Sequence, residues 1–172
     1  MKFKLRVPRR HIGEWSLRYS NNLDDAVPLA VGHHAQARGY VSRSEFLEIA
    51  RWKSPRTQPR CQVNCDEFVE SVTSVALGTS DERLAIEVLT LLDGVSWPTA
   101  SVILHFCSVR RYPILDYRAL WSLSCDAAAP DYDFALWWDY VRATRDLADE
   151  LSVSMRTLDR VLWAYSKAKQ PP

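Results

Sequence analysis

The chain has 172 residues, of which 47% are hydrophobic and 25% are charged. This length and composition are typical of one soluble globular domain, or of two small lobes that share one interface. No stretch approaches the roughly 20 apolar residues of a membrane helix, and the charged N-terminus lacks the apolar segment of a signal peptide. The formal net charge of +1 excludes a polycation of the histone kind. We therefore expect a cytoplasmic protein without membrane contact.

Basic residues are concentrated in two segments of the chain. Residues 1–20 are interpreted as a basic N-terminal arm, because their first ten positions contain five cations and no acid. Such an arm either lies along a nucleic acid or is a disordered tail. Residues 51–60 also carry four cations and no carboxylate, whereas acids are concentrated in residues 131–150. A locally basic face is compatible with nucleic-acid binding, but solvated surface charge explains each cluster equally well.

Apolar residues recur at helical spacing almost everywhere after residue 23, which predicts an all-α fold of about eight helices. The first predicted helix has one apolar face. This face contains Leu23, Val27, Ala30, Val31 and His34. Ser42 begins a second helix with Glu45 as its capping-box partner. That helix ends near Lys53, because the residue before Pro55 disfavours helical geometry. Residues 54–61, with two prolines, are predicted to form a loop.

The second half of the chain continues the helical pattern. A third helix over residues 66–77 is predicted to bury Phe68, Val69, Val72, Val75 and Ala76. Ser80 is interpreted as the N-cap of the next helix, and residues 82–91 and 98–107 are predicted as two helices around a tight turn. Asp116 is expected to cap a short helix that reaches Ser124. Two longer helices follow, and Trp137, Trp138 and Trp163 on them are expected in the core. Only residues 2–7 alternate like a strand, and they have no evident partner.

The four cysteines predict free thiols and no cysteine-bound metal. Cys61 and Cys65 form a single C-x3-C pair, and Cys107 and Cys125 lie in apolar contexts. A zinc site would need a second close pair or suitably spaced histidines. An iron–sulfur cluster would need a tight run of four cysteines.

Residues 89–104 carry the strongest indication of function. A helix is predicted to end at Leu92, and Gly94 permits the positive φ that a tight turn requires. Pro98 suits the first turn of the next helix, where its missing N–H is not needed. A hairpin of this kind exposes several backbone N–H groups at a helix N-terminus. That geometry suits a phosphate oxygen whatever the base sequence.

These residues resemble the helix-hairpin-helix DNA glycosylase superfamily, base-excision enzymes related to endonuclease III and to the adenine glycosylase that acts on mispairs. The shared pattern comprises Leu92, Gly94, Val95 and Ala100, followed by the Tyr-Pro-Ile-Leu-Asp segment at residues 112–116. The resemblance covers residues 80–124, about a quarter of the chain. It implies a helix-hairpin-helix at residues 82–107 of a single domain, residues 1–172, whose two helical lobes flank a cleft.

The resemblance assigns the catalytic role to Asp116. Its carboxylate would stabilise positive charge on the deoxyribose of a flipped-out nucleotide, or orient the attacking water. Capping of its own helix is the alternative explanation for Asp116, and both roles can hold at once. A base pocket is expected at Trp52 and Tyr117. Contacts with double-stranded DNA are expected from Gly94, Val95, Ser96, Trp97, Thr99, Lys53 and Arg56.

Two of these contacts have alternative explanations. Trp97 would stack on a base or wedge into the duplex, or it packs within the protein. Lys53 would contact phosphate or take the place of the lysine that bifunctional members carry after the hairpin, or it is a surface lysine beside a core tryptophan. No metal and no cofactor are expected, apart from a monovalent cation that the hairpin could hold. A DNA partner would associate the protein with the nucleoid if the chain is bacterial.

Departures from the family pattern qualify this expectation. Pro98 stands where bifunctional members have a Schiff-base lysine, which implies a monofunctional enzyme that hydrolyses the N-glycosidic bond of a damaged or modified base with water. Ser96 replaces the second hairpin glycine, and Asp93 replaces the usual proline and puts a negative charge near the expected phosphate. These changes leave open a non-catalytic DNA-binding or adaptor domain on the same fold. A helical protein–protein module with a chance resemblance is the third alternative.

Overall fold

The computed structural model describes residues 3–19, 25–125 and 131–171. This part of the chain forms ten α-helices and three short 3-10 helices, with no β-strand, so the predicted all-α class is confirmed. The α-helices are α1 (Ile12–Leu17), α2 (Ala26–Arg38), α3 (Arg43–Lys53), α4 (Gln58–Cys61), α5 (Asp66–Gly78), α6 (Glu82–Glu87), α7 (Trp97–Cys107), α8 (Tyr117–Ser122), α9 (Phe134–Glu150) and α10 (Met155–Lys169). Across the described ranges, none of them combines the length and apolar character that crossing a membrane requires.

The chain divides into two compact units. The end unit comprises Met1–Asn22 and Pro113–Pro172, and the middle unit comprises Leu23–Tyr112. The middle unit therefore contains α2 to α7, and the end unit contains α1 and α8 to α10.

Helix α7 is the apolar centre of the middle unit. Eight of its eleven residues are buried, including Ile103, Leu104 and Phe106. Helix α2 packs on it very closely, because a Cβ atom added at Gly32 would lie 2.2 Å from the carbonyl oxygen of Phe106. Residue 32 must therefore be glycine for the two helices to keep this distance.

The capping box predicted for α3 is confirmed. The amide of Glu45 donates to Ser42 Oγ over 3.5 Å, and the Ser42 amide donates to Glu45 Oε2 over 2.9 Å. The predicted cap of α6 is wrong by one residue: Asp81, not Ser80, is the N-cap. Its Oδ1 accepts from the amides of Arg83 and Leu84 over 2.8 and 2.9 Å. A carboxylate that accepts two amides satisfies this helix end better than a neighbouring serine.

Several predicted boundaries differ from the structure. Residues 54–61 are not a loop, since Pro55–Thr57 forms a 3-10 helix and α4 follows it directly. Their prolines lie in first turns, where the missing N–H is tolerated. Helix α6 ends at Glu87 and continues as a 3-10 helix, Val88–Leu91. Helix α8 ends at Ser122 instead of Ser124, and Ser124 has a positive φ.

Some side chains expected in the core are exposed. His34, Val27, Phe68 and Val75 face solvent, because the buried faces of α2 and α5 are rotated away from the faces that the spacing of apolar residues predicts. On α5 the buried face includes a polar residue, Thr73, whose hydroxyl accepts the Val41 amide over 2.9 Å. Trp137 is fully buried as expected, whereas the other two predicted core tryptophans, Trp138 and Trp163, are only half-buried. Leu23 and Lys2 lie outside the described residues.

The end unit packs α8, α9 and α10 around Trp137, Tyr140 and Leu158. The N-terminal segment is attached to the end of α8, because the amides of Lys4 and Arg6 donate to the carbonyls of Leu123 and Ser122 over 2.9 and 2.8 Å. Val7, Ile12 and Trp15 are buried. The described part of the basic arm is thus a packed segment of this unit.

Candidate functional site

Residues 92–96 form a tight turn before α7 in the middle unit, here called the 92–96 turn. Gly94 has a φ of 80°, and the Val95 amide donates to the Leu92 carbonyl over 3.0 Å. A Cβ atom added at Gly94 would lie 2.7 Å from Cys61 Sγ, 2.9 Å from Cys61 N and 3.0 Å from Arg60 Cβ. The turn is therefore pressed against α4, and both its backbone angle and its surroundings require glycine.

Asn64 fixes the 92–96 turn from the other side. Its amide oxygen accepts from the Asp93 N–H over 2.9 Å, and its Nδ2 donates to the Asp93 carbonyl over 3.0 Å and to the Cys61 carbonyl over 2.8 Å. Asn64 is only 4% exposed. Sequence reasoning missed this residue, since its main partner lies 29 positions away in the chain.

The start of α7 offers backbone donors. Its N-cap, Ser96, has extended backbone angles and no side-chain capping bond. Over the described parts of the chain, no acceptor lies within hydrogen-bond range of the amides of Gly94, Ser96 and Thr99. These N–H groups add to the positive end of the α7 dipole, so the position suits an anion.

The side chains predicted to contact DNA differ in exposure. Ser96 is exposed and Trp97 is half-buried, whereas the side chains of Val95 and Thr99 are buried, so those two could contribute only backbone groups. Asp93, the departure from the family pattern, is exposed beside them.

The basic segment 51–60 lies next to the 92–96 turn through Arg60. Arg56 and Arg60 are exposed, and Lys53 is half-buried. Trp52, expected to line a base pocket, is 7% exposed and packs edge-on against Phe106, with ring centroids 5.3 Å apart. The Trp52 ring therefore contributes to the core of the middle unit.

Asp116 lies in the end unit, at the start of α8. Its Oδ1 accepts the amide of Arg118 over 2.9 Å, so the predicted capping role is confirmed. Buried residues precede it, and the hydroxyl of Tyr140 donates to the Ile114 carbonyl over 2.9 Å. Tyr117, the second residue expected in a base pocket, is 51% exposed. The backbone on both sides of Asp116 is thus held in place, and the residue after it faces solvent.

The negative charge of Asp116 contributes to the raised pKa of two tyrosines. Burial, and then the negative charges of Asp159 and Asp116, raise the pKa of Tyr140 well above its ordinary value. Burial, and then the charges of Asp116 and Cys125, raise the pKa of Tyr132 as well. Both phenols therefore stay protonated at neutral pH, and the Tyr140 hydroxyl keeps the proton that it donates to the Ile114 carbonyl. No local sequence pattern distinguishes Tyr132 or Tyr140 from the other tyrosines.

The four cysteines, Cys61, Cys65, Cys107 and Cys125, are free thiols. Burial raises the pKa of Cys61, and it raises the pKa of Cys107 to about 12. Within the described residues, no group of three or more His, Cys, Asp or Glu side chains could hold a metal ion. The monovalent cation at the 92–96 turn stays a prediction.

No protein-family model matches this chain, and no curated protein and no solved structure matches it either. The resemblance to helix-hairpin-helix glycosylases therefore stays a prediction. Two features of this chain are candidates for function, namely the 92–96 turn of the middle unit and Asp116 of the end unit.

Proposed function

We propose that residues 82–107 form a helix-hairpin-helix that binds double-stranded DNA, and that the protein is a monofunctional DNA glycosylase. The observation that carries this proposal is the start of α7. There the amides of Gly94, Ser96 and Thr99 have no acceptor among the described residues. A DNA phosphate would supply the oxygens that these donors lack, independently of base sequence.

The surroundings of the turn support phosphate binding. Asn64 and the close approach to Cys61 hold the 92–96 turn in one conformation, so the turn would lose little conformational entropy on binding. Arg60 adjoins the turn and Arg56 is exposed on the same segment, which adds positive charge for a polyanion. Asp93 opposes this attraction, and we expect it to lower the affinity.

Asp116 supports the catalytic part of the proposal. In the proposed reaction water adds to C1′ of the deoxyribose, the C1′–N bond breaks, and the base leaves with a proton. The sugar carries positive charge in the transition state, and a fixed carboxylate stabilises that charge without moving. The capping bond to Arg118 and the anchoring of Ile114 by Tyr140 hold Asp116 in this way. Pro98 cannot form a Schiff base, which is why water is the proposed nucleophile.

A non-catalytic DNA-binding or adaptor domain on the same fold is the second candidate. One observation favours it: the capping bond from Asp116 to the Arg118 amide explains the aspartate without any chemistry. Under this alternative the 92–96 turn still binds DNA, but no glycosidic bond is broken.

The experiment that tests the proposal compares base excision by the wild type and by two aspartate variants. Asp116→Asn removes the carboxylate but keeps a good N-cap residue, so the fold is retained. Asp133→Asn is the matched control, because Asp133 caps α9 in the same unit by accepting the Leu136 amide over 2.8 Å. The substrates are duplexes that carry uracil, mismatches or alkylated, oxidised and hypermodified bases, and hot alkali then converts abasic sites to breaks.

We expect breaks on at least one duplex with the wild type and with Asp133→Asn, and none with Asp116→Asn. Breaks with all three proteins would show that base excision does not require the Asp116 carboxylate. An absence of breaks with all three, combined with salt-sensitive duplex binding, would favour the non-catalytic alternative.

A further inference from the structure

Helix α10 of the end unit carries a stripe of cations and aromatic residues. Arg156, Arg160, Trp163 and Lys167 are spaced by four, three and four residues, which puts them on one face of the helix. Two further residues, Tyr19 and Arg118, contact this stripe, and Tyr117 contacts Arg118. The seven residues are called the α10 patch below.

Trp163 is the centre of the α10 patch. The ammonium of Lys167 lies 4.9 Å from its ring centroid, and the guanidinium of Arg118 lies 5.7 Å from it. Arg118 also lies 5.0 Å from the ring centroid of Tyr117, the most exposed aromatic residue of the patch. These contacts form a continuous row in which cations alternate with rings.

The row continues on the other side of Trp163. The ring of Tyr19 meets Trp163 edge-on, with centroids 5.2 Å apart. The guanidinium groups of Arg156 and Arg160 lie 5.1 and 5.7 Å from the Tyr19 centroid. Five cation–π contacts therefore join these seven residues. Core packing alone does not account for this density, because all seven residues are half-buried or exposed.

The charge of the α10 patch is positive. Four cations belong to it, and Asp159 forms an ion pair with one of them, Arg156. A guanidinium group that stacks on a ring can also donate N–H groups to phosphate oxygens. A ring between two cations can stack with an unpaired base, whose phosphates then lie near the flanking charges.

We propose that the α10 patch binds single-stranded nucleic acid. A base of the strand stacks on exposed Tyr117, and Arg118, Arg160 and Lys167 contact its phosphates. A duplex would use only the cations, because its bases are already stacked on one another. An acidic peptide would likewise leave the rings unused. The patch uses no residue of the 92–96 turn, so this inference does not depend on the proposed function.

Fluorescence anisotropy with labelled oligodeoxythymidylate and oligouridylate of about 15 nucleotides tests the proposal directly. The wild type is compared with Tyr117→Ala, Tyr117→Phe and Lys167→Glu. Arg142→Glu is the charge control, because Arg142 is an exposed cation on α9 of the same unit. An unlabelled duplex of equal length serves as competitor, and circular dichroism verifies that each variant is folded.

We expect Tyr117→Ala to weaken binding by about fivefold or more, the lower end of what stacking one base contributes. Tyr117→Phe should stay within about twofold of the wild type, because the ring is retained. Lys167→Glu should weaken binding and reduce its salt dependence, unlike Arg142→Glu. The tighter of the two oligonucleotides identifies DNA or RNA as the source of the strand.

Three results would overturn the proposal. The first is that the wild type binds neither oligonucleotide. The second is that Arg142→Glu weakens binding as much as Lys167→Glu, which would mean that general charge is responsible. The third is that Tyr117→Ala has no effect while the duplex competes as well as the single strand. In contrast, a wild type that binds the single strand but not the duplex would contradict duplex binding by the 92–96 turn, and it would agree with the proposal for the α10 patch.

Discussion

Replacement of Gly94 by alanine tests the geometry of the 92–96 turn most sharply. A side chain at the φ of 80° costs about 1–2 kcal/mol. The new Cβ would also lie 2.7 Å from Cys61 Sγ and 2.9 Å from Cys61 N, so α4 must move. Forcing a methyl group into such a packed position adds about 1–3 kcal/mol. We therefore expect Gly94→Ala to lower the free energy of unfolding by about 2–5 kcal/mol in total.

Two other glycines of the middle unit separate these contributions. Gly39 has a similar φ of 89°, but no atom lies within 4 Å of its added Cβ. Gly39→Ala should therefore lower the free energy of unfolding only by the cost of a side chain at positive φ. The lower conformational entropy of the unfolded chain should offset part of this cost. Gly78 has neither a positive φ nor a close neighbour, so Gly78→Ala should stabilise by about 0.4–1 kcal/mol.

The assay is urea-induced unfolding followed by circular dichroism, with thermal unfolding as a second measurement. For a chain of this length, each kcal/mol should shift the melting temperature by about 2–4 °C. Adding Cys61→Ala to Gly94→Ala should recover part of the loss, since Sγ is removed but the backbone nitrogen remains. A Gly94→Ala protein that is as stable as Gly39→Ala would refute the close approach of the turn to α4.

Three further predictions concern single residues of either unit. Asn64→Ala should lower the free energy of unfolding by about 2–3 kcal/mol, because it leaves both backbone groups of Asp93 without their partner, and urea unfolding beside the exposed-site control Gln62→Ala checks this. Because the pKa of Tyr140 is raised in the folded state, Tyr140 stabilises the fold below the unfolded pKa of about 10, and this contribution is lost as the pH rises further. The free energy of unfolding of Tyr140→Phe should therefore depend less on pH than that of the wild type between about pH 8 and pH 11. An equal pH dependence of the two proteins over this range would contradict the prediction. At neutral pH exposed Cys65 should react with iodoacetamide at once and Cys107, with a pKa of about 12, only on unfolding, as mass spectrometry of labelled peptides would reveal.

Features that depend on neighbours in the chain could be predicted from the sequence. The capping box at Ser42 and Glu45 and the N-cap at Asp116 involve residues two or three positions apart, so residue type and spacing suffice to indicate them. The positive φ of Gly94 follows equally from a glycine at a tight turn. Capping also shows the limit of this reasoning, because Ser80 and Asp81 both suit an N-cap and only the structure distinguishes them.

Features that depend on distant partners could not be predicted. Asn64 lies 29 residues from Asp93, and no local pattern indicates that they bond. The buried face of α2 follows from the close approach of Gly32 to Phe106, which a count of apolar residues does not register. The α10 patch was missed for a related reason. The helical spacing of Trp163 predicts a core position, but a cation of α8, Arg118, and a cation of α10 itself, Lys167, lie beside its ring.

We propose that the start of α7 binds the phosphate backbone of duplex DNA, and this binding can be tested at one exposed residue. Asp93 offers the most direct test, because its carboxylate is exposed on the turn and should repel a phosphate bound there. Repulsion between two unit charges about 4 Å apart in water amounts to about 1 kcal/mol, or about fivefold in affinity. We predict that Asp93→Asn tightens duplex binding by about this factor at low salt, and that the gain shrinks as salt rises. Asp66→Asn, an exposed aspartate at the start of α5, should have no effect. Equal affinities for the wild type and Asp93→Asn at low salt would contradict phosphate binding at this turn.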